Sequence, residues 1–444
     1  MSGTDAHDAS TRRRAQYTPG TPGTHSAAGT EQPAGVPAGP KQPAAKHPTA
    51  KRSGVGLRRA PFVLLAGLGM LAGLDAALLL LGVWSPVGSG RLADAHGPLM
   101  VLGFVGTLIA EERAVALRRW VGHLAPALLG LGALSALSPA PAWLPGTLCA
   151  AGAAAMLATY AALFRRQPAD AVMVQAVGAV CAVAAAVLWA VGAGLPVSAP
   201  WLAGFVVLTI VGERLELARV ALPAGAEGLL LLCAALTMTG LLLGVLFPVV
   251  GAPVLGAGLL ATVAWLVRFD VARRTLRSRG VTRFAAAAML CAHAWLAVAG
   301  AIWLITGPQT DGAGYDAVLH AVFLGFTISM IMGHAPIILP AVLHVKLPYH
   351  PAMWGPLALL HAGLLIRVMG DARGAVLARQ VGGVLDVVAL LAFFVTAAVV
   401  AVTATLRGRV GRGTGRGLGR GTGHSGGARS AADGTGRTAR GGRA

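Results

Sequence analysis

Between residues 61 and 406 the chain is a succession of apolar runs, each close to twenty residues long, broken by short polar or Pro/Gly-containing stretches. A run of that length is what an α-helix needs to cross a hydrocarbon layer of ~30 Å. Inside such a layer no water pairs the backbone N–H and C=O groups, so a spanning segment must satisfy them itself. Continuous apolar runs, without strand-like alternation, leave the helix as the solution. Composition agrees. Of 444 residues 55% are hydrophobic and 12% charged, with a mean hydropathy of +0.69, against roughly 25% charged residues in a soluble domain. The expected fold is an all-α polytopic membrane protein with 12 transmembrane helices. Their spans fall at about 61–83, 92–117, 121–139, 141–164, 170–194, 199–221, 227–247, 251–270, 282–305, 315–341, 351–369 and 380–406.

Three regions follow. Residues 1–57 are rich in Ala, Gly, Pro, Thr and Lys without apolar periodicity and are expected to form a disordered basic cytoplasmic tail. Residues 58–406 form the twelve-helix transmembrane domain, and 407–444 a disordered Gly/Arg-rich cytoplasmic tail. The net charge of +19 and pI near 11.4 suggest a nucleic-acid binder, but the basic residues lie mainly in the tails and in alternate loops. That is the pattern of positive-inside anchoring, and anionic lipid headgroups rather than nucleic acid are the expected partners of the tails. Arg118, Arg119, Arg165, Arg166 and the loop "RFDVARRTLRSRGVTR" share a side with both tails, because an even number of spans returns the chain to its starting side. The opposite loops "SPAPAW", "GAGLPVSAPW" and "FPVVGAP" carry no charge; "RVMGDARGAVLARQ" alone breaks the rule. Both termini are therefore expected in the cytoplasm and the chain in the plasma membrane. The four cysteines (Cys149, Cys181, Cys233, Cys291) lie in apolar runs without a paired motif and read as small core hydrophobes.

An internal repeat is visible at a period of about four helices. Helix 2 contains "GFVGTLIAEERAVALRR" from Gly103, helix 6 "GFVVLTIVGERLELARV" from Gly204, and helix 10 "GFTISMIMGHAPIILPA" from Gly325. Gly-Phe superposes in all three, Ile109 falls on Ile210 and Ile331, and Glu112 on Glu213 and His334. Such self-similarity suggests a pseudo-threefold arrangement of three four-helix units. Chance similarity among common membrane residues is the alternative, and the Glu-Arg pair shared by helices 2 and 6 weighs against it.

With "DAHGPLMVLGFVGTLIAEERAV" in helix 2 and "LHAVFLGFTISMIMGHAPIILP" in helix 10, residues 60 to 405 resemble the NnrS family of 12-helix haem- and copper-containing membrane proteins linked to nitric oxide metabolism. The three four-helix arcs are distantly similar to the haem–copper oxidase main subunit, whose helices 2 and 10 carry haem-ligating histidines. There are departures from the oxidases. No histidine lies between His123 and His293, so helices 6 and 7 supply none, and helix 6 has no tyrosine. Oxygen reduction at a haem–copper centre is not expected.

Ionisable groups inside a bilayer are expensive and usually face the bundle interior for a reason. His96 opens helix 2 and His320 opens helix 10, at similar depth. By the resemblance they would be the two axial ligands of a haem b; the alternative is two interfacial histidines bonding loop carbonyls. Asp94, just before His96, could accept its second ring proton. His334, His361 and His293 lie deeper towards the other face, on helices 10, 11 and 9. At similar depth they could hold copper or a second haem, or equally be three separate structural histidines. Glu112 and Glu213, equivalent to His334 in the repeat, could orient those rings or relay protons. On ideal helical geometry His320 and His334 share one face within ~40° and stand about 21 Å apart along the axis, which places them in two different sites. Arg113 and Arg214 are expected to pair with Glu112, Glu213 or Glu216, while Asp75 and Asp386 are buried acids with no assigned partner. The resemblance implies a membrane haem protein, with copper as a further cofactor, that binds nitric oxide or carries electrons to or from a redox partner. A 12-helix secondary transporter without a redox cofactor is the alternative that architecture alone allows.

Overall fold

A computed structural model describes residues 53–219, 222–343 and 347–417, with side chains at 59–219, 222–337 and 347–407. The expected disorder of both tails falls almost wholly outside these residues. The helices are α1 (Ser53–Leu80), α2 (Gly90–Leu117), α3 (Leu124–Ser135), α4 (Trp143–Arg166), α5 (Asp170–Ala190), α6 (Leu195–Ala218), α7 (Ala226–Leu246), α8 (Pro248–Phe269), α9 (Val281–Thr306), α10 (Gly312–His320 continuing through Ser329–Leu343), α11 (Trp354–Ala372) and α12 (Val376–Gly417). No strand occurs among the described residues. Eleven of these helices are long and apolar enough to cross a membrane. The exception is α3. With a leading 3-10 turn it covers only Trp120–Ser135, short of the expected 121–139, because the chain unwinds ahead of Pro139, which disfavours helix at the residue before it. At the other end α12 runs on to Gly417, past the boundary at 406 that composition suggested.

Sequential helices pack as antiparallel neighbours, and three helices stand apart by burial. The apolar windows of α2, α6 and α10 are 67%, 78% and 67% buried, against 33–50% for the other spans. These are the helices carrying the Gly-Phe repeat, and they form the inner layer. Phe104, Phe205 and Phe326, the repeat phenylalanines, are each at most 2% exposed.

Two of the three are not continuous α-helix. Leu99–Gly106 in α2 and Ala321–Ile328 in α10 are π-helical, eight residues each. Gly-Phe occupies the fifth and sixth positions of both segments. Pro98, lacking an N–H, removes an i→i−4 bond immediately before the first segment. In the second, the Thr327 hydroxyl donates to the Val322 carbonyl five residues back, at 2.9 Å, following the wider turn. π turns inside α-helices are rare and concentrate at functional sites. They also change the geometry between His320 and His334. Eight of the intervening residues are wound more loosely than an α-helix, so the ~40° expected from 3.6 residues per turn no longer applies. Close approach explains the glycines: a Cβ on Gly103 would run into Ala133 of α3, and one on Gly325 into the Trp295 indole of α9.

Candidate functional site

Residues in the N-terminal halves of α2 and α10, with Leu195 at the start of α6, line a cavity termed the outer cavity. His96, Leu195 and His320 line it, with α12 closing it through Asp386 and Leu390. Apart from the two imidazoles, Thr327, Arg367 and Asp386, its wall is apolar. Both rings are held the same way. His96 Nδ1 lies 2.8 Å from the Gly73 carbonyl of α1, and His320 Nδ1 lies 2.8 Å from the Asp316 carbonyl one turn back. A carbonyl can only accept, so each Nδ1 donates, and a neutral ring held this way has its lone pair on Nε2. Neither Nε2 has a hydrogen-bond partner among the described residues. Asp94, expected to orient His96, lines the wider vestibule outside the cavity, and the Gly73 carbonyl takes its place.

Two residues that the sequence reading passed over complete the outer site. Arg367 of α11 makes a bidentate pair with Asp316, Nε to Oδ2 at 2.9 Å and Nη2 to Oδ1 at 2.6 Å. Asp316 also faces His320, Oδ1 to Nδ1 at 3.3 Å. Arg367 belongs to "RVMGDARGAVLARQ", the one loop that broke the charge rule; the apparent exception is a cation committed to an internal acid. The loop's Arg379 and Asp371 also face each other, at 3.8 Å. Asp386 is different: 4% exposed, on the cavity wall, with neither carboxyl oxygen hydrogen-bonded. Asp75, the other unassigned acid, accepts the Val87 N–H at 3.0 Å through Oδ1.

The C-terminal halves of the same three helices line a second cavity, termed the inner cavity. Val105 is common to both cavities. Ile109, Ile210 and Ile331 face this inner space, and so do Glu112, Glu213 and His334 one turn on. These six are among the residues that the internal alignment superposes, together with the Gly-Phe pairs. Glu111 lines it too, its Oε2 bonded to His123 Nδ1 at 2.8 Å while His123 stacks on Phe62. Arg113 ties the acids together, bonding Glu112 at 2.7 Å, Glu216 at 3.1 Å and Gln175 at 3.3 Å, with Glu213 at 3.6 Å. Glu112 and Glu213 therefore orient Arg113 rather than His334.

His320 and His334 thus open onto different cavities. The three deeper histidines are not gathered into one ligand set. No group of three His, Cys, Asp or Glu able to hold a metal occurs among the described residues. His334 donates from Nδ1 to the Met330 carbonyl at 2.7 Å, and its Nε2 lone pair accepts from Arg214 Nη1 at 3.0 Å. A guanidinium cation stands where a copper ion would have to bind. His361 Nδ1 accepts from Trp295 Nε1 at 3.1 Å. His293 is 2% exposed with both nitrogens unpartnered among the described residues, and neither it nor His361 lines either cavity.

Arg214 was expected to pair with a neighbouring glutamate. It instead grips Asp270, just past the end of α8, through Nε–Oδ2 at 2.7 Å and Nη2–Oδ1 at 2.8 Å. Burial would push the Asp270 carboxyl up, but the hydrogen bonds and charge of Arg214, the Ala272 N–H and nearby His293 hold it below the usual carboxylate value. The pairing could not be foreseen from spacing, because the partners lie 56 residues apart.

A family model described as "Domain of unknown function (DUF8744)" matches residues 59–402. No curated protein and no solved structure matches the chain.

Proposed function

This chain belongs to the DUF8744 family, and from its outer cavity we propose that it is an integral membrane haem protein, with His96 and His320 as axial ligands of one haem b. One observation carries the reading: two imidazoles from two inner helices line one apolar cavity, each with Nδ1–H fixed on a backbone carbonyl and Nε2 unpartnered among the described residues. A ligating histidine characteristically donates its other ring N–H to such an acceptor, which fixes tautomer and orientation. Haem would supply one-electron redox chemistry. The protein's part is to hold the rings, exclude water with the walls of α1, α2, α10 and α12, and place Arg367 at the rim. With two protein ligands no open position remains, so of the roles implied by the NnrS resemblance, carrying electrons fits better than binding nitric oxide. Copper is not part of this proposal, since His334 spends its lone pair on Arg214.

The same reading takes α3 as a twelfth, short span and arranges the helices as three four-helix units, supported by the paired π segments and by the six repeat residues around the inner cavity. It keeps both termini cytoplasmic in the plasma membrane, the basic tails against anionic lipid, supported by the uncharged opposite loops. A secondary transporter is the second reading, and the inner cavity is the observation in its favour. The test is a reduced-minus-oxidised absorption spectrum of the purified full chain. A low-spin haem b spectrum is expected, lost in both His96→Ala and His320→Ala. A colourless protein from haem-supplied cells, or an unchanged spectrum in both variants, would refute the assignment.

A further inference from the structure

The inner cavity is a site in its own right, and the haem reading leaves it unused. Its wall is mostly hydrocarbon, from Val63, Val105, Leu108, Met330 and the three repeat isoleucines, with the Phe394 ring among them. Set into that wall are Glu111, Glu112 and Glu213. Glu111 is 1% exposed and its Oε1 is buried without a hydrogen bond; Glu213 Oε1 is buried, also without a hydrogen bond, and lies 3.6 Å from Arg113 Nη2. The cationic groups nearby are already engaged. Arg113 is shared among Glu112, Glu213 and Glu216, Arg214 is closed on Asp270 and His334, and Arg59 acts on Glu111. Leaving aside the closed Arg214–Asp270 pair, four carboxyl groups (Glu111, Glu112, Glu213, Glu216) face two guanidiniums (Arg59, Arg113), with His123 on Glu111 and His334 beside them.

An anionic rim on an apolar chamber selects its ligand by subtraction. A bare divalent ion needs six or more oxygens in a cage, which an aliphatic wall cannot supply. An anion would meet carboxyl oxygens, while the nearby guanidiniums are already engaged by those same carboxyl groups. A neutral hydrocarbon would fill the chamber and leave the buried acceptors unpaired, at a cost. We propose that the inner cavity binds a monovalent organic cation with an apolar body, such as a protonated lipophilic amine or a phosphonium. Its charge lies against Glu111 and Glu213, its body against the isoleucines, and Phe394 offers a ring face for cation–π attraction. The site is independent of the outer cavity and of any haem there.

The experiment uses the full chain purified in non-ionic detergent, with radiolabelled tetraphenylphosphonium as probe and neutral triphenylphosphine oxide as its uncharged counterpart, in equilibrium dialysis. One saturable site is expected for the cation, at least tenfold tighter than for the neutral probe. Glu111→Gln and Glu213→Gln should each weaken it at least tenfold, with Glu213→Asp keeping much of the affinity and Asp371→Asn, at the surface pair with Arg379, changing nothing. Equal binding of the two probes to the unaltered protein would show a merely greasy chamber and overturn the proposal without any variant. Non-saturable uptake, or unchanged affinity in both Gln variants that remain monodisperse and helical, would overturn it as well, leaving the carboxyls as proton carriers only.

Discussion

Replacing Asp270 by Asn tests whether the Arg214 pair holds α6 to the end of α8. Both residues are 6% exposed, and the carboxylate receives two guanidinium N–H groups at 2.7 and 2.8 Å and the Ala272 N–H at 2.9 Å. The amide keeps the shape but turns one acceptor into a donor that faces Arg214. Breaking a buried pair from one side costs about 3–5 kcal/mol, because the remaining charge stays desolvated. Arg214 would retain one oxygen and its bond to His334 Nε2, so a loss near the lower end, about 3 kcal/mol, is expected. The assay is unfolding by SDS in mixed micelles followed by tryptophan fluorescence, with Arg214→Gln and the double variant completing a cycle. The carboxyl is held below its ordinary value when folded, so its contribution is fully present above the unfolded value of about 3.9 and is lost as pH falls through the lower folded one. The gap between the unaltered protein and Asp270→Asn should be flat from pH 8 to about 5 and close in stronger acid. A gap under about 0.5 kcal/mol at pH 7, or one that widens on acidification, would refute the reasoning.

Gly325→Ala should cost about 1–3 kcal/mol, read in the same assay, because the added methyl meets the Trp295 ring. Trp295→Phe removes the donor to His361 Nδ1 and should cost about 1 kcal/mol for the hydrogen bond, on top of lost packing. His334→Ala and His361→Ala serve different partners, Arg214 and Trp295, so their stability effects should add within about 0.5 kcal/mol in the double variant. Ligands of one shared metal would instead show strong coupling. His334→Ala should also leave the absorption spectrum assigned to His96 and His320 intact.

Helix existence was readable because apolar length is a local property, and the spans of α4 to α9 need only their own residues. The repeat was readable too: aligning Gly103, Gly204 and Gly325 also aligns six of the side chains that line the inner cavity. What escaped was set by distant partners. Asp316 and Arg367 are 51 residues apart, and nothing local distinguishes Asp316 from an interfacial acid. Its place one turn before His320 and the charge anomaly around Arg367 were the available signals. The grouping of His293, His334 and His361 by depth failed to give a ligand set because depth fixes one coordinate of three. The rotation about each helix axis decides which side chains meet, and in α10 the π segment alters that rotation.

That winding has a consequence for how these helices tolerate length changes. A π turn holds one residue more than the α turn it replaces. Deleting a residue from an ordinary membrane helix shifts everything beyond it by about 100° and 1.5 Å. Within Leu99–Gly106 or Ala321–Ile328 a deletion has a second outcome open to it, since the surplus residue can be absorbed as the segment reverts to α-helix. α2 and α10 are therefore the inner helices where a one-residue deletion could leave the facing of the residues beyond it nearly unchanged, whereas α6, α-helical from Leu195 to Ala218, has no slack to give up.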